Sequence, residues 1–464
     1  MSVPAAVRPR PSAGTQPWLL AGLAAIALVS AAAAASPRLG IALAIVFVVG
    51  IALVRQPTLL VVILAGSLFI EAISLGGVNI SRLLAPIAVA ATLVALLRGE
   101  RRLEPAPPLA WIGAYLLWAL LSGFWTRSTG GTSFLLGSLA VALAYMTAFA
   151  TFVETEEDLS RTLSLLGILS IPASLYAIAD FAAVGGRSSG GVGDPNAFAS
   201  VELIFLPLVL TAAVQTRTPR LRLLLFGAAL ADVGAAMTTL SRGGLITLVV
   251  LVAAVVLLPA RALFSSAAQK LALLGVLLAC AGLAFSVTSN VFTPRLHDIF
   301  THSGQTGSGR TNLWRGALTS IREHPFVGIG YGAFPSQSVD LVDRTPGVDL
   351  VDWQPPAKGD FVHDAYLETF AELGIPGLVI FLAILGSTAA LLVRSARLAR
   401  RLGRPALARV ANALLLSVVA WTIGAVFLSQ ETARPLWVVI GLSLALSALV
   451  RREIRRVGQF KPGS

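Results

Sequence analysis

The residues best suited to acid–base chemistry lie in residues 291–373, the one long polar stretch of the sequence. This stretch contains all four histidines: His297, His302, His324 and His363. His363 stands next to Asp364 at the head of a helical pattern, and histidine is the side chain whose ordinary pKa is closest to neutral pH. We therefore predict that His363 transfers a proton, although a lone histidine is more often a packed or capping residue.

A sequence pattern typical of anion binding precedes His363 in the same stretch. The Gly/Ser-rich run at 303–309 leads into Arg310, and Trp314, Leu318 and Ile321 then recur at helical spacing. Backbone N–H groups in the first turn of a helix favour an anion, and a guanidinium group can bind phosphate with two parallel hydrogen bonds. No Gly-Lys-Ser/Thr follows, so nucleotide hydrolysis is not predicted. The alternative is a flexible linker with a capping arginine.

Charge is divided within the same stretch. Residues 295–323 are mainly basic and include Arg315, whereas residues 340–364 contain six Asp against Arg344 and Lys358. The basic half is suited to binding a phosphate group. A solvated loop whose charges pair with one another is the simpler alternative.

The composition shows where these residues must act. Of the 464 residues, 56% are apolar and 12% charged, and the mean hydropathy is +0.81. Soluble domains carry about twice that fraction of charge, so the composition excludes a soluble enzyme, a disordered chain and a nucleic-acid binder. The sequence predicts an all-α polytopic membrane protein.

About 12–14 transmembrane helices are predicted, with one large outer loop that contains short helices. Residues 18–36 also have features of a cleavable signal sequence, but the next apolar run follows at once and favours a retained span. The apolar runs lie at 18–36, 39–54, 58–75, 83–98, 109–125, 132–153, 162–184, 197–215, 221–240, 243–260, 270–290, 374–393, 408–429 and 434–450.

The basic residues predict the orientation. With the N-terminus in the cytoplasm, 23 of the 35 Lys and Arg residues fall in cytoplasmic segments, as the positive-inside rule requires. Both ends are then inside and residues 291–373 outside. The predicted segments are a cytoplasmic N-terminal tail at 1–17, transmembrane helices 1–11 at 18–290, the extracytoplasmic catalytic loop at 291–373, transmembrane helices 12–14 at 374–450 and a basic cytoplasmic tail at 451–464.

Several polar residues lie at the outer ends of predicted spans. Arg242 stands in a tight Ser-Arg-Gly-Gly turn, Arg82 begins a span, and Asn196 follows the helix-starting Asp194-Pro195 pair. Ionisable groups near spans usually face a polar cavity. We expect Arg82 and Arg242, with Glu202, to line one cleft, the alternative being a set of structural ion pairs.

A helix is predicted from Asp360, its cap, to Leu373, ended by Gly374. Its acidic residues would form one stripe and its apolar residues another, typical of a helix lying on the membrane surface. The acidic stripe is Asp360, Asp364, Glu368 and Glu372, and the apolar stripe is Tyr366, Phe370 and Leu373.

Four segments in order resemble one family of membrane enzymes. They are GDPNAFAS (193–200), SRGG (241–244), GSGRTNLWRGALTSIREHPFVGIGYGAF (307–334) and HDAYLETFAELGIPG (363–377). Together with the long outer loop, they resemble the superfamily of O-antigen ligases and Wzy-type O-antigen polymerases. This resemblance covers roughly residues 190–450 and implies a GT-C-like fold.

The resemblance implies a multi-pass protein of the bacterial cytoplasmic membrane that acts on its outer face. Such an enzyme transfers a glycan from a polyprenyl (undecaprenyl) diphosphate to an acceptor hydroxyl with inversion. Its partners would be that lipid-linked donor, membrane lipids and a lipid, polysaccharide or protein acceptor, with no nucleic acid, no cofactor and no metal. Arg242 and Arg310 would bind the diphosphate and His363 would be the base.

Further candidates for the diphosphate cleft are the following: Arg82, Arg315, Asn196, Asp364 and Tyr366. Many family members have Asn where this chain has Asp364, which keeps a metal contact open. Two alternatives therefore remain. One is a metal-dependent oligosaccharyltransferase that uses the Asp-rich residues 340–364. The other is a polysaccharide or lipid transporter or flippase, although the sequence shows no internal repeat of the kind common in transporters.

Overall fold

The computed structural model describes residues 56–75, 78–271, 310–346 and 359–459, together with the isolated residues 50, 52, 53, 274, 275, 282 and 348. The chain divides into two compact units, residues 1–57 and 58–464, and nearly all described residues belong to the second. The predicted spans at 18–36, 39–54 and 270–290, together with His297 and His302, lie largely or wholly outside the described residues.

The described part of the chain is helical, as predicted, with nine helices long and apolar enough to cross a membrane and two shorter apolar helices. The shorter two are α1 (Pro57–Ser67) and α8 (Arg242–Leu257). The long ones are α2 (Ile80–Leu97), α3 (Pro107–Leu121, continued by a 3-10 turn to Phe124), α4 (Thr129–Phe152), α5 (Glu156–Val184), α6 (Pro195–Gln215), α7 (Pro219–Thr238), α11 (Ala365–Arg401), α12 (Pro405–Gly424) and α13 (Arg434–Gln459). Eleven predicted spans therefore have a helix in the structure, and the chain is a multi-pass membrane protein.

Two further helices, α9 (Arg310–Glu323) and α10 (Phe334–Asp343), belong to the predicted outer loop. A two-residue antiparallel pair, β1 (Ser74–Leu75) and β2 (Val78–Asn79), joins α1 to α2. The loop has its own apolar core, in which side chains of α9 and α10 pack with Val362 and Ala371. The described part of the loop is therefore packed and can hold side chains in fixed positions.

Local sequence explains the ends of the helices that lead to the site. Pro195 occupies the first turn of α6, where its missing N–H costs nothing, and the Asp194 carboxylate accepts from the Ala197 N–H at 2.8 Å. Gly374 has φ 65° and ψ −168°, so it divides α11 into a short N-terminal segment and the following span. The predicted helix end at Gly374 is confirmed.

Helix α6 is the most buried of the long helices, because 94% of the residues in its apolar 18-residue stretch are buried inside the protein. It packs against α7 and α12, while α11 packs against α3 and α12. The N-terminus of α6 and the N-terminal segment of α11 both lead to the same group of charged side chains, described below.

At the helix ends away from this group of charged side chains, ion pairs connect one segment to another. Glu104 pairs with Arg451, Arg452 and Arg455, and Glu156 pairs with Arg404 at 2.5 Å. All these residues come from segments that the charge pattern assigns to one side of the membrane. The structure therefore agrees with the predicted grouping of these segments.

Candidate functional site

His363 lies in a turn directly before α11, and its backbone has a left-handed φ of 57°. Its N–H donates to the Ser429 hydroxyl at 2.9 Å, and its ring Nε2 lies 3.4 Å from a carboxylate oxygen of Asp360. The side chain is 30% exposed. The imidazole is therefore oriented by a carboxylate and still accessible to a substrate.

The two aspartates flanking His363 have exchanged the roles that the sequence predicts. Asp360 was the expected cap of a helix over 360–373, but the helix begins at Ala365 and the Asp364 carboxylate accepts from the N–H groups of Tyr366 and Leu367, both at 2.9 Å. The left-handed His363 prevents the helix from starting earlier. Burial raises the pKa of Asp364, although these two N–H donors oppose the shift.

The predicted acidic stripe does not face solvent, so the expectation of a helix lying with its acidic side in water is wrong. Glu368 and Glu372 are each 1% exposed. Glu372 accepts backbone N–H groups from Gly332 at 2.7 Å and Phe334 at 3.0 Å, and Glu368 accepts from the Ser429 hydroxyl. The Gly332 and Phe334 N–H groups offset the burial of Glu372, whereas Glu368 is contacted by Ser429, from the segment after α12.

Arg310 lies in α9, where the described part of this segment begins, and it is half-buried. Burial lowers the pKa of its guanidinium, with the charge of Arg242 acting in the same direction and those of Asp194 and Asp360 in the opposite direction. These influences indicate that Arg242, Asp194 and Asp360 lie in the electrostatic neighbourhood of Arg310. Asp360 also contacts His363, so Arg242, Arg310 and His363 are candidates for one site.

Arg242 is exposed at the N-terminus of α8, and its turn is closely packed. The Ser241 hydroxyl accepts from the Gly244 N–H at 3.2 Å, and Leu240 has a left-handed φ of 49°. A Cβ added at Gly243 would lie 2.8 Å from the Cβ of Phe427, closer than side-chain carbons normally approach. Packing therefore requires glycine beside Arg242 and fixes the direction from which Arg242 leaves the turn.

Three hydrogen bonds connect these pieces. The Trp314 indole of α9 donates to the Val362 carbonyl at 3.1 Å, so the helix that starts at Arg310 is attached directly to the His363 turn. Arg187 donates at 2.8 Å both to the Thr239 carbonyl and to the Asn196 side-chain oxygen. It thereby joins the start of α6 to the turn that carries Arg242.

Sequence reasoning missed Arg187. Its signal is an arginine on the predicted outer side, in a Gly/Ser-rich run just before Asp194. Asn196, predicted to line the diphosphate cleft, is its partner and holds the turn together.

The other predicted cleft residues have structural partners. Arg82 lies 4.5 Å from the centre of the Phe134 ring on α4, and its guanidinium donates to Ser138 at 3.4 Å. The Tyr366 hydroxyl donates to the Thr422 carbonyl at 2.9 Å. Arg315 is an exposed residue of α9.

The expectation that Glu202 lines the cleft is not supported, because Glu202 is 1% exposed and lies beside Asp232.

A metal centre was an open alternative for the Asp-rich residues 340–364. Within the described ranges, no three His, Cys, Asp or Glu side chains are arranged to hold a metal ion. Asp349 and Asp352 lie outside the described residues.

Comparison with known proteins agrees with the resemblance seen in the sequence. Residues 203–382 match the family model described as O-antigen ligase. The match includes Arg242, Arg310, Asp360 and His363, so the candidate site lies within the matched region. This region of the membrane protein is therefore similar to the O-antigen ligase domain. No curated protein matches the chain.

Proposed function

We propose that this protein is an inverting glycosyltransferase that moves a glycan from a polyprenyl diphosphate to an acceptor hydroxyl. The observation that carries the proposal is the arrangement of two arginines and a histidine–aspartate pair, all at the ends of helices in a membrane protein. The charge of Arg242 acts on Arg310 in the direction that lowers the pKa of the Arg310 guanidinium. A doubly anionic diphosphate binding between them would relieve the repulsion between the two guanidinium groups.

In this reaction the acceptor oxygen attacks the anomeric carbon of the donor sugar. The bond from that carbon to the diphosphate oxygen breaks, and its electron pair leaves with the polyprenyl diphosphate. The two arginines stabilise the charge that develops there, a contribution that is often the largest in enzymes. Attack from the face opposite the diphosphate inverts the configuration at the anomeric carbon.

The acceptor proton passes to His363. With Nε2 directed at Asp360, the other ring nitrogen, Nδ1, is the one left to accept a proton. The Asp360 carboxylate stabilises the imidazolium that results. Asp360 therefore takes the place that the sequence assigned to Asp364, which is occupied in capping α11.

The proposed location is the bacterial cytoplasmic membrane, with this site on the outer face. Support comes from the charge pattern, which assigns 23 of 35 basic residues to cytoplasmic segments. The basic ends that pair with Glu104 and Glu156 belong to those segments. The lipid-linked donor, membrane lipids and a lipid, polysaccharide or protein acceptor are the proposed partners.

The test is transfer by the purified protein in lipid nanodiscs. It would be given a fluorescent glycan on undecaprenyl diphosphate and, in separate reactions, a lipid-linked sugar, an oligosaccharide and a peptide acceptor. We expect release of undecaprenyl diphosphate with transfer to one acceptor class, at a rate that EDTA does not change. Failure with all three acceptors would contradict the proposal, and a rate abolished by EDTA would favour the metal-dependent alternative.

A further inference from the structure

The backbone of His363 is strained, and strain of this kind persists only where surrounding contacts fix it. Among the described residues other than glycine, Leu240 and His363 are the two with a left-handed φ, 49° and 57°. A residue with a side chain adopts this conformation at a cost that the rest of the fold must offset. The contacts around His363 therefore show what holds the proposed base in place.

The loop between α12 and α13 supplies those contacts. The His363 N–H donates to the Ser429 hydroxyl at 2.9 Å, and two residues later the Ala365 N–H donates to the Ala425 carbonyl at 2.8 Å. The Ser429 hydroxyl in turn donates to a carboxylate oxygen of Glu368. Because a hydroxyl has a single proton, its use toward Glu368 leaves an oxygen lone pair available for the His363 N–H.

Glu368 keeps a carboxyl group in a buried position. It is 1% exposed, and its second carboxylate oxygen has no hydrogen-bond partner within the described part of the chain. Retaining a carboxyl group under these conditions is unfavourable unless it does something that an apolar side chain cannot. Its contact with Ser429 is such a use.

Resting on the proposed function, we propose that Ser429 and Glu368 are positioning residues, which hold His363 in the conformation that directs its ring toward Asp360 and the acceptor. Neither side chain touches the reacting atoms in this arrangement. Both act through the backbone of the base.

The first experiment compares serine variants in the nanodisc transfer assay. Ser429→Ala should lower kcat about 10- to 100-fold, the range expected for loss of a partly buried hydrogen bond to a strained group. The donor KM should stay unchanged, because the arginines are untouched. Ser429→Thr keeps the hydroxyl and should restore most of kcat. Ser417→Ala is the control, since Ser417 is buried and its hydroxyl donates within its own helix, to the Ala413 carbonyl.

A double-mutant test separates positioning from general structural damage. In a His363→Gln background, Ser429→Ala should cause no further loss of the residual rate, because the residue through which it acts is gone. An additional loss equal to that in the wild type, or a Ser429→Ala enzyme as active as Ser417→Ala, would overturn the proposal. Full activity of His363→Gln alone would instead overturn the proposed function.

Glu368 variants decide the matter if Ser429→Ala does not accumulate in the membrane. Glu368→Met removes the acceptor but keeps the length of the side chain, and burying an apolar group should not impair folding. We expect it to lower kcat at least tenfold, whereas Glu368→Gln, which retains a carbonyl acceptor, should stay within about threefold of the wild type. Equal rates for the two variants would contradict the positioning role.

Discussion

Arg310→Ala should lower kcat/KM for the lipid-linked donor far more than substitution of a surface arginine. Arg310 is a half-buried residue of α9, and the like charge of Arg242 acts on it. A hydrogen bond between charged groups contributes about 1.5–3 kcal/mol, so Arg310→Ala should lower kcat/KM for the lipid-linked donor roughly 10- to 150-fold. Arg310→Lys keeps the charge but loses the two-pronged geometry, and it should recover only part of the loss.

The assay is a donor titration that measures release of polyprenyl diphosphate from nanodisc-embedded protein. Arg394→Ala is the control, because Arg394 is exposed on α11 and lies about 30 Å along that helix from Gly374. Combining Arg242→Ala with Arg310→Ala should cost less than the sum of the two, since both are proposed to bind one group. Our reasoning is refuted if Arg310→Ala stays within about twofold of the wild type, or if Arg394→Ala lowers kcat/KM equally.

Three other predictions test topology, packing and burial. A cysteine at the exposed Ser336, in a Cys280→Ala background, should react with an impermeant maleimide in intact cells, and labelling only after lysis would reverse the orientation. Gly243→Ala should lower activity at least tenfold by displacing the turn beside it, whereas Gly227→Ala, with no atom within 4 Å of its added methyl group, should not; equal effects would contradict this. Burial raises the pKa of Glu431 to about 7. The folded protein thus holds a proton that the unfolded chain loses above about pH 4.3, so thermal stability in detergent should fall between about pH 5 and 7. Glu431→Gln should flatten that profile, and an unchanged profile would contradict the assignment.

The sequence was most informative where a local signal determines the structure. Gly374 interrupts its helix as expected because glycine readily adopts its positive φ. Apolar runs of spanning length likewise predicted helices that the structure contains.

The errors arose where distant contacts decide between equal local signals. Asp360 and Asp364 are equally good caps by residue type, and the contact of Ser429 with the His363 turn is what places the helix start at Ala365. Periodicity showed that Glu368 and Glu372 share a helix face, but it did not show that other segments cover that face. Such contacts join residues far apart in the chain and leave no periodic pattern.

The most direct test of the proposed chemistry is a single-turnover comparison of wild-type and His363→Gln protein in nanodiscs, with donor binding measured in the same samples. We expect donor affinity to be unchanged, because the arginines remain, and the transfer rate to fall about 10²- to 10⁴-fold, the usual contribution of a positioned base. His324→Gln, which changes another histidine of the loop, should transfer at the wild-type rate. Near-normal transfer by well-folded His363→Gln protein would contradict the role of His363 as the base.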